Sequence, residues 1–247
     1  MDWQIIIDTL PKFLEGTVLT IQITVISVAI GLVLALPLAL LRLSSNPLLW
    51  APVYGFVFFF RGTPLLVQLF LIYYGSGQVR DRFAAAGLRF LFRDPWFCGV
   101  LALPLNTAAY TSEILRGGIL AVPHGEIEAG RATGMSGLLL YRRIILPKAV
   151  RLAFPAYTNE VIFLLQATSL VSLITLMDIT GVAARTAARS FDYYELYLTA
   201  AAFYLVIVLG LQYIFKRFEW RVSGHLRARP EDRPGAAAAP AQGPAPR

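Results

Sequence analysis

The sequence predicts an all-α integral membrane protein with about five transmembrane helices. Of its 247 residues, 57% are hydrophobic and only 15% are charged, and the mean hydropathy is +0.61. A soluble domain of this size cannot hide so much apolar surface, so lipid must cover part of it. Six stretches contain no charged residue and mark the candidate helices: residues 17–41, 43–60, 62–79, 95–112, 161–177 and 196–215.

The first and last stretches are long enough to cross a membrane by themselves. A hydrocarbon core about 30 Å thick needs roughly 20 helical residues. The middle stretches are shorter and must include polar neighbours to span. We predict five helices, with six as the alternative. The first stretch is too long for the h-region of a signal peptide, and acidic rather than basic residues precede it, so we expect it to remain in the mature protein.

Arg61 divides the long apolar run formed by the second and third stretches. Pro64 follows shortly after it, and proline disfavours helix in the residue before it. This predicts a break, with an interfacial helix over about 47–60 and a membrane span over about 65–75. The alternative is one long kinked helix whose Arg61 side chain extends to the headgroups.

Basic residues predict the orientation, because they concentrate in cytoplasmic loops. Two groups stand out: Arg116, Arg131, Arg142, Arg143, Lys148 and Arg151, and then Lys216, Arg217, Arg221, Arg227, Arg229 and Arg233. Both groups belong in the cytoplasm, which places the N-terminus outside. The segment 80–94 holds four arginines yet faces outward in this scheme. Anionic lipid accounts for the net charge of +7, so no nucleic-acid partner is predicted.

Several kinds of chemistry are absent from the sequence. No G-x-x-x-x-G-K-[ST] run could cradle a nucleotide, and neither G-x-S-x-G nor H-E-x-x-H occurs. We therefore predict no catalytic residue. His124 and His225 lie far apart without metal-ligand neighbours, so no metal site is predicted. Cys98 is the single cysteine, in an apolar segment, and should be a buried thiol.

The end of the chain differs in composition from the rest. From about residue 227 it is rich in Pro, Ala, Gly and Arg and has no periodic apolar face. We predict that 227–247 is a disordered cytoplasmic tail. The transmembrane domain then covers 1–226, with a polar loop over about 122–150.

That loop carries a spaced pattern in the run EIEAGRATGMSGLLLYRRIILP, which begins at Glu126. The pattern consists of Glu128, Ala129, Gly130, Gly134, Ile144, Leu146 and Pro147. It resembles the EAA signature of the membrane subunits of bacterial ABC importers, which docks them to a separate ATPase. It lies between two apolar stretches, where such a loop should be.

The resemblance extends over about 9–219. FRGTPLLVQLFLIYYGSGQ from Phe60, the run LNTAAYTSEILRGG from Leu105 and FPAYTNEVIFLLQATSLVSLITLMDITGVA from Phe154 are similar to the polar amino-acid family of ABC importer permeases. The last segment is most similar to permeases for histidine, lysine, arginine and ornithine and for the opines octopine and nopaline. The resemblance implies the type I importer fold in the bacterial cytoplasmic membrane.

The same resemblance implies the partners. Such complexes contain two permease subunits, two ATPase subunits that bind the ATP, and an external solute-binding protein. This chain would be one permease with no cofactor of its own, paired with a related but different one. Its solute would be a polar amino acid, and membrane lipid would surround it.

Two positions depart from the family pattern. Gly130 stands where a second alanine is usual, which lowers helix propensity by about 1 kcal/mol but keeps the residue small. Gln166 and Ala167 stand where many relatives have Lys-Asp before Thr-Ser-Leu. The fourth span thereby loses a cation and an acid, which agrees with a subgroup for basic solutes.

The signature loop predicts a short helix over 126–138. Glu128 lies near its N-terminus, where a carboxylate complements the helix dipole. Gly134 allows a tight turn or a close backbone approach. Pro147 ends the following segment and starts the run into the next span. Such a helix can sit in a cleft on the ATPase and transmit its closure as a rigid-body movement. The alternative is a loop with an incidental glycine turn.

Glu160 is the residue predicted to meet the solute. It opens the fourth span, where an ionisable group is costly and needs a partner, which a basic amino acid would supply. Further hydrogen bonds could come from Asn159, Gln166, Thr168 and Ser169. Glu160 could instead pair with Arg151 or cap a helix, and Thr168 and Ser169 could serve helix packing.

Two other classes of protein remain open at this point. A secondary transporter or channel would work without ATP, and would need intramembrane charges for ion coupling or an internal repeat. A membrane scaffold would have no special requirement for Gly134. Copurification of an ATPase would separate the first class from an ABC permease.

Overall fold

The computed structural model describes residues 3–78 and 91–222, which form a helical bundle. Its α-helices are α1 (Trp3–Arg42), α2 (Pro47–Gly62), α3 (Leu65–Tyr73), α4 (Pro95–Leu120), α5 (His124–Ala132), α6 (Gly137–Leu140), α7 (Leu146–Ala167), α8 (Ile179–Ser190) and α9 (Tyr193–Val222). A π-helical turn (Tyr141–Ile145) precedes α7, and a 3-10 helix (Thr168–Ile174) extends it. Two short 3-10 turns occupy Gly75–Gly77 and Leu91–Arg93. The predicted tail and most of 80–94 lie outside the described residues.

Helix α4 lies at the centre and packs against α1, α2, α3 and α7. Small residues allow the helices to approach closely. A Cβ atom on Gly31 of α1 would lie 2.1 Å from Thr107 Cγ2 of α4, and one on Gly118 of α4 would lie 2.6 Å from the carbonyl oxygen of Ala149 of α7. Cys98 on α4 is buried, as predicted.

Three described segments are long and apolar enough to cross a membrane: α1, Gly137–Ile174 and Tyr193–Trp220. The bent pair of α2 with Leu65–Gly77 makes a fourth. These findings confirm the all-helical membrane fold. Helix α4 has 26 residues, which is sufficient length, but it is not one of these segments, and several of its buried side chains are polar. The count of five spans requires α4 and stays a prediction.

The break predicted after Arg61 is confirmed. Helices α2 and α3 meet at 103°, which excludes one long kinked helix. The Arg61 guanidinium lies over the ring of Tyr110 on α4, 5.1 Å from its centroid. A helix that ends inside the bundle leaves carbonyl groups without helical partners, and other groups must satisfy them.

Two amides satisfy those carbonyl groups. Gln68 Nε2 donates to the carbonyl oxygens of Phe60 at 2.9 Å and Thr63 at 3.0 Å, and lies 2.8 Å from Thr63 Oγ1. Asn106 Nδ2 on α4 donates to the same Phe60 oxygen at 3.1 Å and to Gln68 Oε1 at 3.0 Å. The broken helix is thereby held to the central helix.

The two ends of α1 lie at opposite ends of the bundle. Leu43, just after α1, packs in a cluster with Ile119 and Ile145, beside the signature loop. Phe13, near the other end, packs in a cluster with Ile179 of α8 and Leu196 of α9. The N-terminal part of α1 and helix α8 are therefore remote from the loop.

Replacing Gln68 with leucine should destabilise the protein, because the carbonyl oxygen of Thr63 and the amide of Asn106 lose a partner. We expect the free energy of unfolding to fall by about 1–3 kcal/mol, visible as a lower Tm in detergent. The matched control is Gln166→Leu, at an exposed position of α7. Equal shifts of Tm in both variants would contradict the role of Gln68.

Candidate functional site

The predicted coupling helix is shorter than the sequence suggested. Helix α5 covers His124–Ala132, rather than 126–138. It ends before Gly134, whose φ of +82° lies in the left-handed region that side chains disfavour. Nothing lies within 4 Å of where a Cβ of Gly134 would stand. Of the two predicted uses of this glycine, the tight turn is therefore correct.

Gly130 and Ile144 of the signature are brought into contact. A Cβ on Gly130 would lie 2.5 Å from Ile144 Cδ1 and 2.8 Å from Leu140 Cδ1. The small third residue of the pattern thus lets α5 pack closely on the π-helical turn. An apolar cluster that includes Ile119, Val122, Leu140, Ile145 and Ala149 continues this contact to α4 and α7.

An ion pair between Glu126 and Lys148 also joins α5 to the start of α7. Pro147 lies in the first turn of α7 and does start that helix, as predicted. It does not end the preceding segment, because the chain stays helical from the π-helical turn into α7.

The remaining signature residues are exposed or lie at the edge of the contact between α5 and the start of α7. Glu128, Ala129, Gly134 and Pro147 are exposed, and Leu146 is half-buried. A groove between α5 and α7 is lined by Ala129, Thr133, Ile144, Pro147 and Arg151, among others. Leu138, in α6, leaves 81% of its surface exposed. This side of the loop is available to a partner.

Glu160 lies within α7 and does not open it, since the helix begins at Leu146. Its Oε1 accepts a hydrogen bond of 2.9 Å from Thr107 Oγ1 on α4. Arg151 is nine positions away on the same helix, a rise of about 14 Å. The hydrogen bond of Glu160 therefore goes to another helix.

The other predicted solute residues fall into two groups. Asn159 and Gln166 are exposed, on a stripe of α7 that also presents Phe163, 65% exposed. Thr168 is fully buried, and its hydroxyl donates to the carbonyl oxygen of Leu165 at 2.7 Å. Ser169 is half-buried, and its carbonyl oxygen accepts from Ser172 Oγ at 2.7 Å. The burial of Thr168 agrees with the packing alternative, while its role as a solute residue stays a prediction.

The sequence analysis missed several polar residues of the bundle. Gln68, Asn106 and Thr107 carry no charge and sit in apolar stretches, so no local pattern singles them out. Glu113 accepts from Arg42 Nε at 3.1 Å and from Arg116 Nε at 2.9 Å. Arg42 and Glu113 each follow an apolar stretch directly and carry opposite charges. This could have suggested their ion pair.

Asp178 was also missed. It is fully buried and caps α8, accepting from the backbone N–H of Gly181 at 2.9 Å and of Thr180 at 3.3 Å. Tyr204 of α9 donates its hydroxyl to the same carboxylate at 2.9 Å. An aspartate just before a helix is a common cap, and that signal was present in the sequence. Among the described residues, no group of three His, Cys, Asp or Glu could hold a metal ion.

Comparisons with known proteins identify the family. Residues 19–224 match the family model described as binding-protein-dependent transport system inner membrane component. The chain belongs to this family. It is 48% identical over 229 residues to the nopaline transport system permease protein NocM of Agrobacterium fabrum, covering 93% of this chain and 95% of that protein. It is 44% identical over 212 residues to the histidine/lysine/arginine/ornithine permease protein HisM of Escherichia coli, covering 86% and 89%.

Solved structures agree with the family. The crystal structure of an amino acid ABC transporter with histidines superposes with a TM-score of 0.80 at 34% identity, covering 90% of this chain and 99% of that one. An inward-facing methionine ABC transporter shares the fold, with a TM-score of 0.70 at 19% identity, covering 87% and 96%.

Family membership settles the class of the protein. It is a multi-pass inner membrane permease subunit of an ABC importer, and a separate ATPase hydrolyses the ATP. This excludes the secondary transporter, channel and scaffold that the sequence had left open. The signature loop and Glu160 are therefore parts of an importer's permease subunit.

Proposed function

We propose that this permease forms the pathway of an importer for cationic amino acids or opines, and that Glu160 contacts the cationic part of the solute. The carboxylate of Glu160 on α7, held by Thr107 of α4, carries this proposal. A carboxylate among membrane helices is costly unless it is paired. The named solutes of the relatives, nopaline and histidine, lysine, arginine or ornithine, support the same chemistry.

A solute cation would complete the environment of Glu160. Thr107 supplies one hydrogen bond, and a carboxylate can accept several. An ammonium or guanidinium group could occupy the remaining acceptor sites. Asn159 and Gln166, exposed on the adjacent stripe of α7, could bind the polar groups at the other end of the solute. Ser169 would contribute at the end of this stripe.

The exposed stripe of α7 also suggests where the second permease subunit sits. Phe163 leaves 65% of its surface uncovered between Asn159 and Gln166. Two polar residues facing lipid would be unfavourable. A second, related permease subunit would cover this stripe, and the solute would pass between the two subunits.

Helix α5 would dock the ATPase through its exposed side, including Glu128 and Ala129. Its other side is fixed to α7 by the contact of Gly130 with Ile144 and by the ion pair of Glu126 with Lys148. A displacement of α5 by the closing ATPase would therefore move the start of α7 with it. This is the rigid-body coupling that the signature loop suggests.

We propose that the signature loop is cytoplasmic and the N-terminus external. Basic residues on the loop side support this orientation. The external binding protein would then approach the end of the bundle that contains α8 and the N-terminal part of α1.

Thiol labelling tests this orientation. In a Cys98→Ser background, a membrane-impermeant maleimide should label Ala188→Cys in intact spheroplasts, because Ala188 is exposed on α8. Ser136→Cys, exposed in the signature loop, should be labelled only after permeabilisation. Labelling of Ser136→Cys in sealed spheroplasts would overturn the orientation.

Coupling is tested at Gly134. Valine there must adopt a positive φ, a strain of about 1–3 kcal/mol that the turn relieves by rearranging. Gly134→Val should leave the permease in the membrane but abolish solute-stimulated ATP hydrolysis by the assembled complex. Gly134→Asn is the matched control, because asparagine tolerates this conformation, and it should keep most of the activity. Normal stimulation in Gly134→Val would remove the coupling role of the turn.

Recognition of the cation is tested by Glu160→Gln, which keeps the size and the acceptor for Thr107 but deletes the charge. Uptake of arginine, lysine or histidine should fall more than about tenfold, corresponding to at least about 1.4 kcal/mol. Basal ATPase activity should survive. Glu219→Gln, a half-buried acid on α9, serves as the control. Equal loss for a cationic and a neutral amino acid, or no loss for either, would show that Glu160 does not recognise solute charge.

A further inference from the structure

The last turns of α9 present two cations and two aromatic rings on one face. Tyr213, Lys216, Arg217 and Trp220 follow one another at helical spacing, and all four side chains are exposed. Among the described residues, these four line a cavity of about 530 Å³. They are called the basic site below.

The basic site faces away from the bundle. Phe215 lies on the opposite face of α9, where its ring packs against that of Phe154 on α7, with 6.2 Å between the ring centroids. Glu219 is half-buried and comes four positions after Phe215, so it shares that inner face. The acid nearest along the helix therefore does not lie beside Lys216 and Arg217.

The two cations have no anionic partner in the part of the chain that the structure describes. None of the ion pairs there involves Lys216 or Arg217. The guanidinium of Arg217 is nevertheless held in place, because its Nε and Nη2 donate to the hydroxyl oxygen of Tyr213 at 3.1 and 2.6 Å. Both bonds use this oxygen as an acceptor, so the Tyr213 O–H and the other guanidinium N–H groups can donate to an anion.

The depth of the basic site in the membrane indicates which anion it meets. Tyr194 and Tyr213, near the two ends of α9, are 68% and 60% exposed and are separated by a rise of about 29 Å. The hydrocarbon core of a bilayer is about 30 Å thick, and tyrosines are enriched at both of its borders. Lys216 and Arg217 lie about 5 Å beyond Tyr213, which is the depth of the lipid headgroups. This holds for either orientation of the protein.

The surface next to the basic site suits an acyl chain. Val206 and Leu209 continue the same face toward the middle of α9 and are 69% and 54% exposed. Gly210 lies between them and Tyr213, and nothing packs within 4 Å of where its Cβ would stand. Glycine is unfavourable inside a helix, and packing within the described residues gives no reason for it. It leaves a notch one turn from Tyr213 that an acyl chain can enter.

We propose that the basic site binds one anionic phospholipid. The phosphate lies on Lys216, Arg217 and the Tyr213 hydroxyl, and an acyl chain runs along Gly210. Arginine binds phosphate oxygens in a bidentate manner, and lysine adds a point charge. A diffuse attraction between basic segments and anionic lipid would need neither the held guanidinium nor the notch.

Native mass spectrometry of the whole purified transporter tests the site. Phosphatidylglycerol and phosphatidylcholine with identical acyl chains are titrated, and the dissociation constant of each is measured. In Lys216→Gln/Arg217→Gln we expect the constant for phosphatidylglycerol to rise at least about tenfold, with that for phosphatidylcholine unchanged. Arg185→Gln/Arg189→Gln is the matched control, because it removes two exposed cations from α8 and should leave both constants unchanged.

Gly210→Leu separates the chain contact from the headgroup contact. Leucine favours a helix more than glycine does, so the fold is kept, while its side chain fills the notch. The affinity should fall for both lipids to a similar extent. Unchanged affinities in this variant would overturn the assignment of the acyl chain.

Three other outcomes would overturn the site itself. One is an unchanged constant for phosphatidylglycerol in Lys216→Gln/Arg217→Gln, or an equal rise in the α8 control, which would show an effect of total charge. Another is displacement of the bound lipid by glycerol 3-phosphate at comparable concentration, which would show a site for free phosphate. The last is a wild-type transporter that retains no phosphatidylglycerol, which would show that a protein surface covers this face of α9.

Discussion

Polar groups inside a bilayer must find their partners within the protein, and in this bundle α4 supplies them. Asn106 donates to the Phe60 carbonyl oxygen at the break between α2 and α3, Thr107 donates to Glu160 of α7, and Glu113 binds Arg42 at the end of α1. These three residues lie on one helix and hold three different elements. The close approach at Gly31 and Gly118 brings α1 and α7 near enough to make this possible.

The same arrangement explains why α4 can carry so many polar side chains. The described chain leaves much of α1 and α9 uncovered, and both helices are apolar. Protein surrounds α4, which allows it to carry amides, hydroxyls and an acid without meeting hydrocarbon. Its many buried polar side chains are thus compatible with its central position.

The sequence predicted features whose determinants are local and missed those that depend on distant partners. Pro64 predicted the break after Arg61, and the signature spacing predicted a short helix in the loop. The predicted helix boundary at 138 was too far along, because the sequence left open whether Gly134 makes a tight turn, and its positive φ ends the helix at Ala132. Gln68 meets Asn106 across 38 positions, and Thr107 meets Glu160 across 53. A short stretch of sequence cannot reveal such pairs, because their members lie far apart along the chain.

Helix α7 connects the two functional regions physically. Its start is fixed to α5 through Ile144 and Lys148, and its second half carries Glu160, whose hydrogen bond goes to Thr107 of α4. Pro155 lies between these points and removes one helical hydrogen bond, so α7 can bend there. In the proposed coupling, a movement of α5 that bends α7 would change the distance from Glu160 to Thr107. Release of that hydrogen bond would leave the carboxylate in need of a partner, which would tie the state of the ATPase to the affinity for a cation.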